Sequence, residues 1–233
     1  MRYLLIHHAL PAEMQRSLSA YGTCIPLPPF EKLPFPVSAH PDMLVAKIGG
    51  TLIIHEEYAE GRRLLESLDI AHEISHTPVE KSYPHDVVLN CFAAGGCLFA
   101  NEKAVSEDVL RMAETQGLRP VSVKQGYAKC ASAIAGGAIA TADKSIANAA
   151  AREGIPTLLL APHPIGIDVY DTGFIGGASF ALDDKLFFFG KIEDHPQYGE
   201  LRDFFGMHGV TLVSLGGSPL FDYGGAIDFY KNI

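Results

Sequence analysis

Three stretches of the chain share one outline, and their repetition limits the fold more than any other feature. Asp42–Ile54 turns at Gly49-Gly50, Asp86–Ala100 at Gly95-Gly96, and Lys124–Asp143 at Gly136-Gly137. A glycine pair between two β-compatible runs predicts a hairpin, because glycine accepts the positive φ that a tight turn needs. A fourth hairpin, Thr172–Leu182 with Leu186–Lys191, turns at Asp183-Asp184. The turn positions Gly50, Gly96, Gly137 and Asp184 lie 46, 41 and 47 residues apart. A period of that size marks an internal structural repeat.

Each hairpin is followed by a helix and one more strand. The helices are expected near Glu57–Leu68, Lys103–Gln116, Asp143–Glu153 and Gln197–His208; Val105, Val109, Met112 and Ala113 show the spacing. The strands are expected at Ile70–Ser75, Leu118–Val123, Ile155–Ala161 and Val210–Leu215. A fifth unit is split by the termini. Its last strand, Tyr223–Phe229, would pair with Arg2–His7, and a helix started by Pro11 and a strand over Thr23–Pro26 would complete it. The expected architecture is α/β: a five-fold pseudo-symmetric propeller of ββαβ units, closed by pairing of the N- and C-terminal strands, in a single domain over 1–233. Closure removes exposed sheet edges. An open α/β sheet is the alternative, which the regular hairpin pairs disfavour.

Bulk properties narrow the function. With 233 residues, 48% of them hydrophobic, the chain can bury a sizeable core. The net charge is −9, and Arg62-Arg63 is the one tight basic pair, so no nucleic-acid partner is expected. No run of about 18 apolar residues predicts a membrane span. Met1–His8 is too short for a signal-peptide core, so a cytoplasmic location with Cys24, Cys91, Cys97 and Cys130 reduced is expected. Cys91 and Cys97 lack zinc spacing, and His7 and His8 diverge on a strand, so no metal site is expected. No dinucleotide fingerprint or P-loop occurs, and no cofactor is expected.

In such a ring the first strands of the hairpins line the centre, and their polar residues are pocket candidates. They are Asp42, Lys47, Asp86, Asn90, Lys129, Cys130, Ser132, Ser179 and Asp228. Asp86 and Asn90 would share one face of a strand. Asp42 and Asp86 could face each other across the centre and hold a cationic amidine or amine. The plainer reading is that each caps backbone N–H groups beside Pro41 and Pro84. Cys130 has Lys129 beside it, and a neighbouring ammonium favours a thiolate nucleophile. Adjacent strand residues point to opposite faces, however, and an inert buried thiol is the plainer reading. His40 and His85, next to Asp42 and Asp86, are candidate general bases, or else solvent-facing histidines at loop–strand junctions. Gly176-Gly177, Gly216-Gly217 and Gly224-Gly225 lie outside the hairpin turns, where glycine marks close approach of a ligand or of packed backbone.

The arrangement resembles the pentein, or guanidino-group-modifying, superfamily of arginine deiminases, amidinotransferases and dimethylarginine dimethylaminohydrolases. Pro41-Asp42-Met-Leu-Val-Ala-Lys47 is similar to the Pro-Asp-x-Val opening strand of those enzymes, and His85-Asp86-Val-Val-Leu-Asn90 looks like its second copy. The stretches His40-Pro-Asp42 and Lys124-Gln-Gly-Tyr-Ala-Lys-Cys130 resemble a bacterial branch of the superfamily. The family attacks the guanidinium carbon with a cysteine in the last strand, aided by a carboxylate and a histidine. Here no cysteine follows Cys130, and Asp228 stands near the family position; Gly173–Phe180, where the family histidine belongs, has none. The resemblance implies a divergent small-molecule enzyme, hydrolase or amidinotransferase-like, or a binder of a cationic amidino, guanidino or amino compound. In that reading Asp42, Asp86, Asn90, Lys129 and Asp228 bind the ligand, Cys130 is the nucleophile, and His40 or His85 the base. The alternative is a non-catalytic ring that serves as a binding or interaction module.

Overall fold

A computed structural model describes residues 1–230 of the chain. In chain order, β1 (Arg2–His7), α1 (Ala12–Leu18) and β2 (Thr23–Leu27) open the structure. A one-turn helix α2 (Pro41–Leu44) leads into β3 (Val45–Ile48), β4 (Thr51–His55), α3 (Ala59–Ser67) and β5 (His72–Ser75). Next come β6 (Phe92–Ala94), β7 (Cys97–Ala100), α4 (Glu107–Thr115) and β8 (Arg119–Ser122). Then follow β9 (Ser132–Ala135), β10 (Ala138–Thr141), α5 (Lys144–Arg152) and β11 (Thr157–Leu159). The chain ends with β12 (Ser179–Leu182), β13 (Lys185–Phe189), α6 (Tyr198–Met207), β14 (Thr211–Leu215) and β15 (Ile227–Tyr230).

These strands make five three-stranded sheets, one for each expected unit. In four of them an antiparallel hairpin gains a parallel third strand after its helix. The fifth joins the two ends of the chain: β15 runs antiparallel to β1, Arg2 opposite Tyr230, and β2 runs parallel to β1. Among the described residues no sheet shares a strand with another. At the second and third hairpin turns both glycines have positive φ: Gly95 at 55° and Gly96 at 74°, Gly136 at 57° and Gly137 at 73°. That is the backbone whose twist matches two paired strands.

The helices follow from caps and apolar faces. Asp143 accepts from the backbone N–H groups of Ser145 and Ile146 and so starts α5, whose Ile146, Ala147, Ala149 and Ala150 are buried. Ser106 caps α4 in the same way through Asp108 N–H. No helix among the described residues is long and apolar enough to cross a membrane.

The first strand of each hairpin is shorter than the sequence suggests. Asp42, Asp86, Asn90, Lys129 and Cys130 all precede their strands, so no strand face is shared by Asp86 and Asn90. Local turns compete successfully with the ladder there. Pro41 occupies the first position of α2, where its missing N–H costs nothing. Asn90 N–H donates to Val87 O, Ala131 N–H to Tyr127 O, and Ala178 N–H to Phe174 O. The last strand likewise begins at Ile227, not Tyr223, because Gly224 and Gly225 have φ of 74° and 70°.

Candidate functional site

The turns before the first strands meet one another through a run of hydrogen bonds that visits every unit. Asp42 N–H donates to Gly224 O (3.1 Å), tying the unit of β3 to that of β15. Asn90 Nδ2 donates to Asp42 O (3.0 Å), and Asn90 Oδ1 accepts from Lys129 N–H (2.8 Å) and Cys130 N–H (3.3 Å). Gly177 N–H donates to Cys130 O (2.9 Å), and Gly225 N–H donates to Gly177 O (2.7 Å). The path returns to the residue pair where it began. It needs backbones in contact: a Cβ on Gly176 would lie 2.3 Å from Ser132 O, and one on Gly224 would lie 2.3 Å from His40 Cβ. The glycine pairs at 176–177 and 224–225 thus serve packing.

Asp42 stands out in this cluster. The residue is buried, and neither carboxylate oxygen meets a nitrogen or oxygen donor; the Cys130 thiol is the one group beside it with a proton to give. Burial pushes its pKa up and the Asp222 charge adds to the rise, opposed chiefly by the charge of Lys129 and also by a hydrogen bond from the Cys130 thiol. The carboxylate whose charge acts on Asp42 is Asp222, and Asp86 is not among the residues that line the cavity beside Asp42. Lys129 Nζ donates to Gly176 O (3.1 Å), which leaves the ammonium with unused donors.

A cavity of about 380 Å³ runs along the first strands past these groups. Asp42 and Lys129 line it, as do Ser179, Lys47 and Asp228. Lys47 and Asp228 form an ion pair of 2.5 Å, with side chains 32% and 23% exposed. Gly49, at the first hairpin turn, also lines it, so the cavity extends from the buried Asp42 toward the turn.

Asp222 and His40 complete the cluster. Asp222 accepts from Phe174 N–H (2.8 Å) and Gly224 N–H (3.0 Å), so its oxygens are occupied by backbone. It fits only because Gly177 lacks a Cβ, which would lie 2.0 Å from Asp222 Oδ1. His40 is almost fully buried; burial lowers its pKa to about 4, so it is neutral near pH 7. Its Nδ1 lies 3.6 Å from Asp222 Oδ1, beyond hydrogen-bond reach. The sequence reading missed Asp222; its signal was an Asp between Phe221 and Tyr223 directly before Gly224-Gly225.

Comparison with known proteins places the chain. Residues 5–227 match the model of a family of unknown function, DUF6873. The chain belongs to this family. No curated protein matches its sequence. Solved structures do match. Dimethylarginine dimethylaminohydrolase from Pseudomonas aeruginosa, in complex with citrulline, superposes with a TM-score of 0.52 at 12% identity, over 91% of each chain. The N-terminal domain of ArgZ, a cyanobacterial arginine dihydrolase bound to substrate, gives 0.58 at 12% identity, over 97% of this chain and 95% of that one. SxtG, an amidinotransferase of the saxitoxin pathway from Microseira wollei, gives 0.57 at 12% identity, over 99% and 94%. These are pentein proteins, and the DUF6873 chain shares their fold.

The other predicted groups of the DUF6873 chain stand apart from the cavity wall. Cys130 is buried; burial and the charges of Asp42 and Asp222 raise its pKa well above 9.0, outweighing Lys129. Its sulfur accepts from Asn90 Nδ2 at 3.0 Å. Cys91 is the exception: it lines the cavity, and burial holds its pKa up at about 12. His85 is exposed, and Asp86 is buried with Tyr127 donating to one of its oxygens. Asn90 acts through its backbone-bridging amide and does not line the cavity. Among the described residues no group of three or more His, Cys, Asp or Glu is placed to hold a metal ion.

Proposed function

We propose that this chain is a single pentein-like domain closed into a five-unit ring, and that the central cavity binds a small molecule through a cationic amidino, guanidino or amino group. The observation that carries the reading is Asp42: a buried carboxylate on the cavity wall whose oxygens meet no nitrogen or oxygen donor, with only the weakly donating Cys130 thiol beside it. A buried acceptor pair without donors is costly, and functional sites are where such costs persist. A planar N–H pair would satisfy both oxygens at once. Lys129 would donate to an acceptor elsewhere on the ligand, and the Lys47–Asp228 pair would contact its far end. The hydrogen-bond path through all five units supports closure.

The cavity favours binding over thiol chemistry. A nucleophilic cysteine needs a thiolate, and Cys130 sits in surroundings that oppose one. A ligand-binding module is therefore preferred to a hydrolase or amidinotransferase-like enzyme. The test is a thermal-shift screen with agmatine, arginine, methylated arginines, citrulline and simple amines, with Asp42→Asn as control. A ligand at about a hundredfold excess over its dissociation constant adds about 2.7 kcal/mol to stability. A shift confined to the wild type supports the site. An equal shift in Asp42→Asn, or none with any compound, removes it. Turnover by a Cys130→Ser variant would exclude the covalent route, and turnover lost only in that variant would restore it.

A further inference from the structure

A second, wide cleft lies away from the central cavity and shares no lining residue with it. It has a volume of about 750 Å³ and is bounded by the segment after β7, the end of β8 and one side of α5 from Lys144 to Arg152, where the second and third hairpin units meet. Its cations are Lys103, Lys124, Lys144 and Arg152, against one carboxylate, Glu102. In a chain of net charge −9 this is an unusual concentration. Among the described residues eight lysines and arginines form ion pairs. Among the described residues nine others form none, and four of these nine line this cleft.

The segments that carry these cations are pinned to one another. Asn101 Nδ2 donates to Lys124 O (3.0 Å), Lys103 N–H donates to Asn101 Oδ1 (3.1 Å), and Lys124 N–H donates to Ser145 Oγ (3.3 Å). The first N–H groups of α5 are already taken by Asp143, so the helix end is not the attraction. The exposed ammonium groups and the guanidinium are. Each such contact is weak alone in water, so a ligand must meet several at once. A concave wall of one sign also focuses the field into the cleft.

We infer that this cleft binds a small multiply charged phosphate compound, of the pyrophosphate or triphosphate class. Its oxygens would meet the lysine ammonium groups as point charges and the Arg152 guanidinium as a fork. The acidic remainder of the surface repels an extended polyanion, which selects a compact one.

Calorimetric titration of the full chain with inorganic triphosphate, pyrophosphate, phosphate and citrate tests this, at low and high ionic strength. Two charge reversals are compared with the wild type: Lys124→Glu with Lys144→Glu, and Arg62→Glu with Arg63→Glu as a control of equal charge change elsewhere. We expect triphosphate to bind more tightly than phosphate, to weaken with salt, and to lose roughly tenfold or more in affinity only in the cleft variant. Lys103→Glu with Arg152→Glu replaces the cleft variant if circular dichroism shows that it does not fold. No binding by the wild type, equal loss in the control, or citrate binding as tightly as triphosphate would each overturn the inference.

Discussion

Replacing Asp42 by Asn should make the unliganded protein more stable while abolishing the proposed binding of a cationic ligand. The carboxylate is buried, and its oxygens lack nitrogen or oxygen donors and have only the weak Cys130 thiol beside them. Leaving a buried polar group unmet costs about 1–3 kcal/mol, and more when it is charged. Asn has the same shape and no charge, and its own amide is also poorly met, so the net gain should be about 1–2 kcal/mol. For a chain of this size each kcal/mol moves Tm by about 2–4 °C, which gives a rise of about 2–8 °C. The gain must depend on pH. Burial raises the Asp42 pKa above its ordinary 3.8, so the folded state holds this proton more tightly than the unfolded state. That contribution is complete below the ordinary value and is lost as pH rises through the folded one. Asn titrates at neither. The difference between variant and wild type should therefore be small in acid and largest above neutral pH. Scanning calorimetry at pH 5 and pH 8 measures it. A lower Tm for Asp42→Asn at pH 8 would refute the reasoning, since it would mean that Lys129 makes the charge a net stabiliser.

Other consequences are as direct. Asn90→Leu should cost about 3 kcal/mol or more in a denaturant titration, because it strips partners from Lys129 N–H, Cys130 N–H and Asp42 O together. Gly177→Ala should cost at least about 2 kcal/mol by the same measurement, since the new Cβ would collide with Asp222 Oδ1. In native alkylation followed by mass spectrometry, half-exposed Cys24 should be modified first, with Cys91, Cys97 and Cys130 protected by burial; early labelling of Cys130 would contradict its placement. Burial holds His55 down to about 4, so its share of stability is lost as pH falls from its ordinary 6.5 toward that value. A His55→Gln variant should therefore lose less stability over that window than the wild type does.

Much of this was legible in the sequence because it was written in turns. Gly95-Gly96 and Gly136-Gly137 admit few backbones other than a tight hairpin, and the spacing of such turns exposed the repeat. The pairing of β15 with β1 followed from completing the fifth unit. The site was less legible, because a strand-by-strand reading places Asp42, Asn90 and Cys130 in a ladder they do not join. The ladder ends early where five chain segments converge and local hydrogen bonds are the shorter route. Asp222 was invisible for a related reason. Its role is to accept from Phe174 and Gly224 N–H groups brought together only by folding.

Aligning the five units by the last paired residue of each first strand shows why the centre carries these groups and no others. Those residues are Ile48, Ala94, Ala135, Leu182 and Tyr230. Six positions earlier stand Asp42, Val88, Lys129, Gly176 and Gly224. All five turns crowd together there, and the two glycines cannot be anything larger: a Cβ on Gly176 meets carbonyl oxygens, and one on Gly224 meets His40. Of the remaining three, Val88 is apolar and buried. Only the first and third units send a polar side chain from this position to the cavity, and they send opposite charges. Lys129 moderates the charge of Asp42 from a distance yet forms no hydrogen bond with it, which leaves both carboxylate oxygens without a nitrogen or oxygen donor. A pair held apart in this way is suited to a ligand that carries donors and an acceptor side by side, and a lone carboxylate would select for charge alone. Lys129→Met should therefore weaken a ureido compound such as citrulline more than a simple amine, and titration of both against the same variant would show it. Equal losses would assign Lys129 to the background field only.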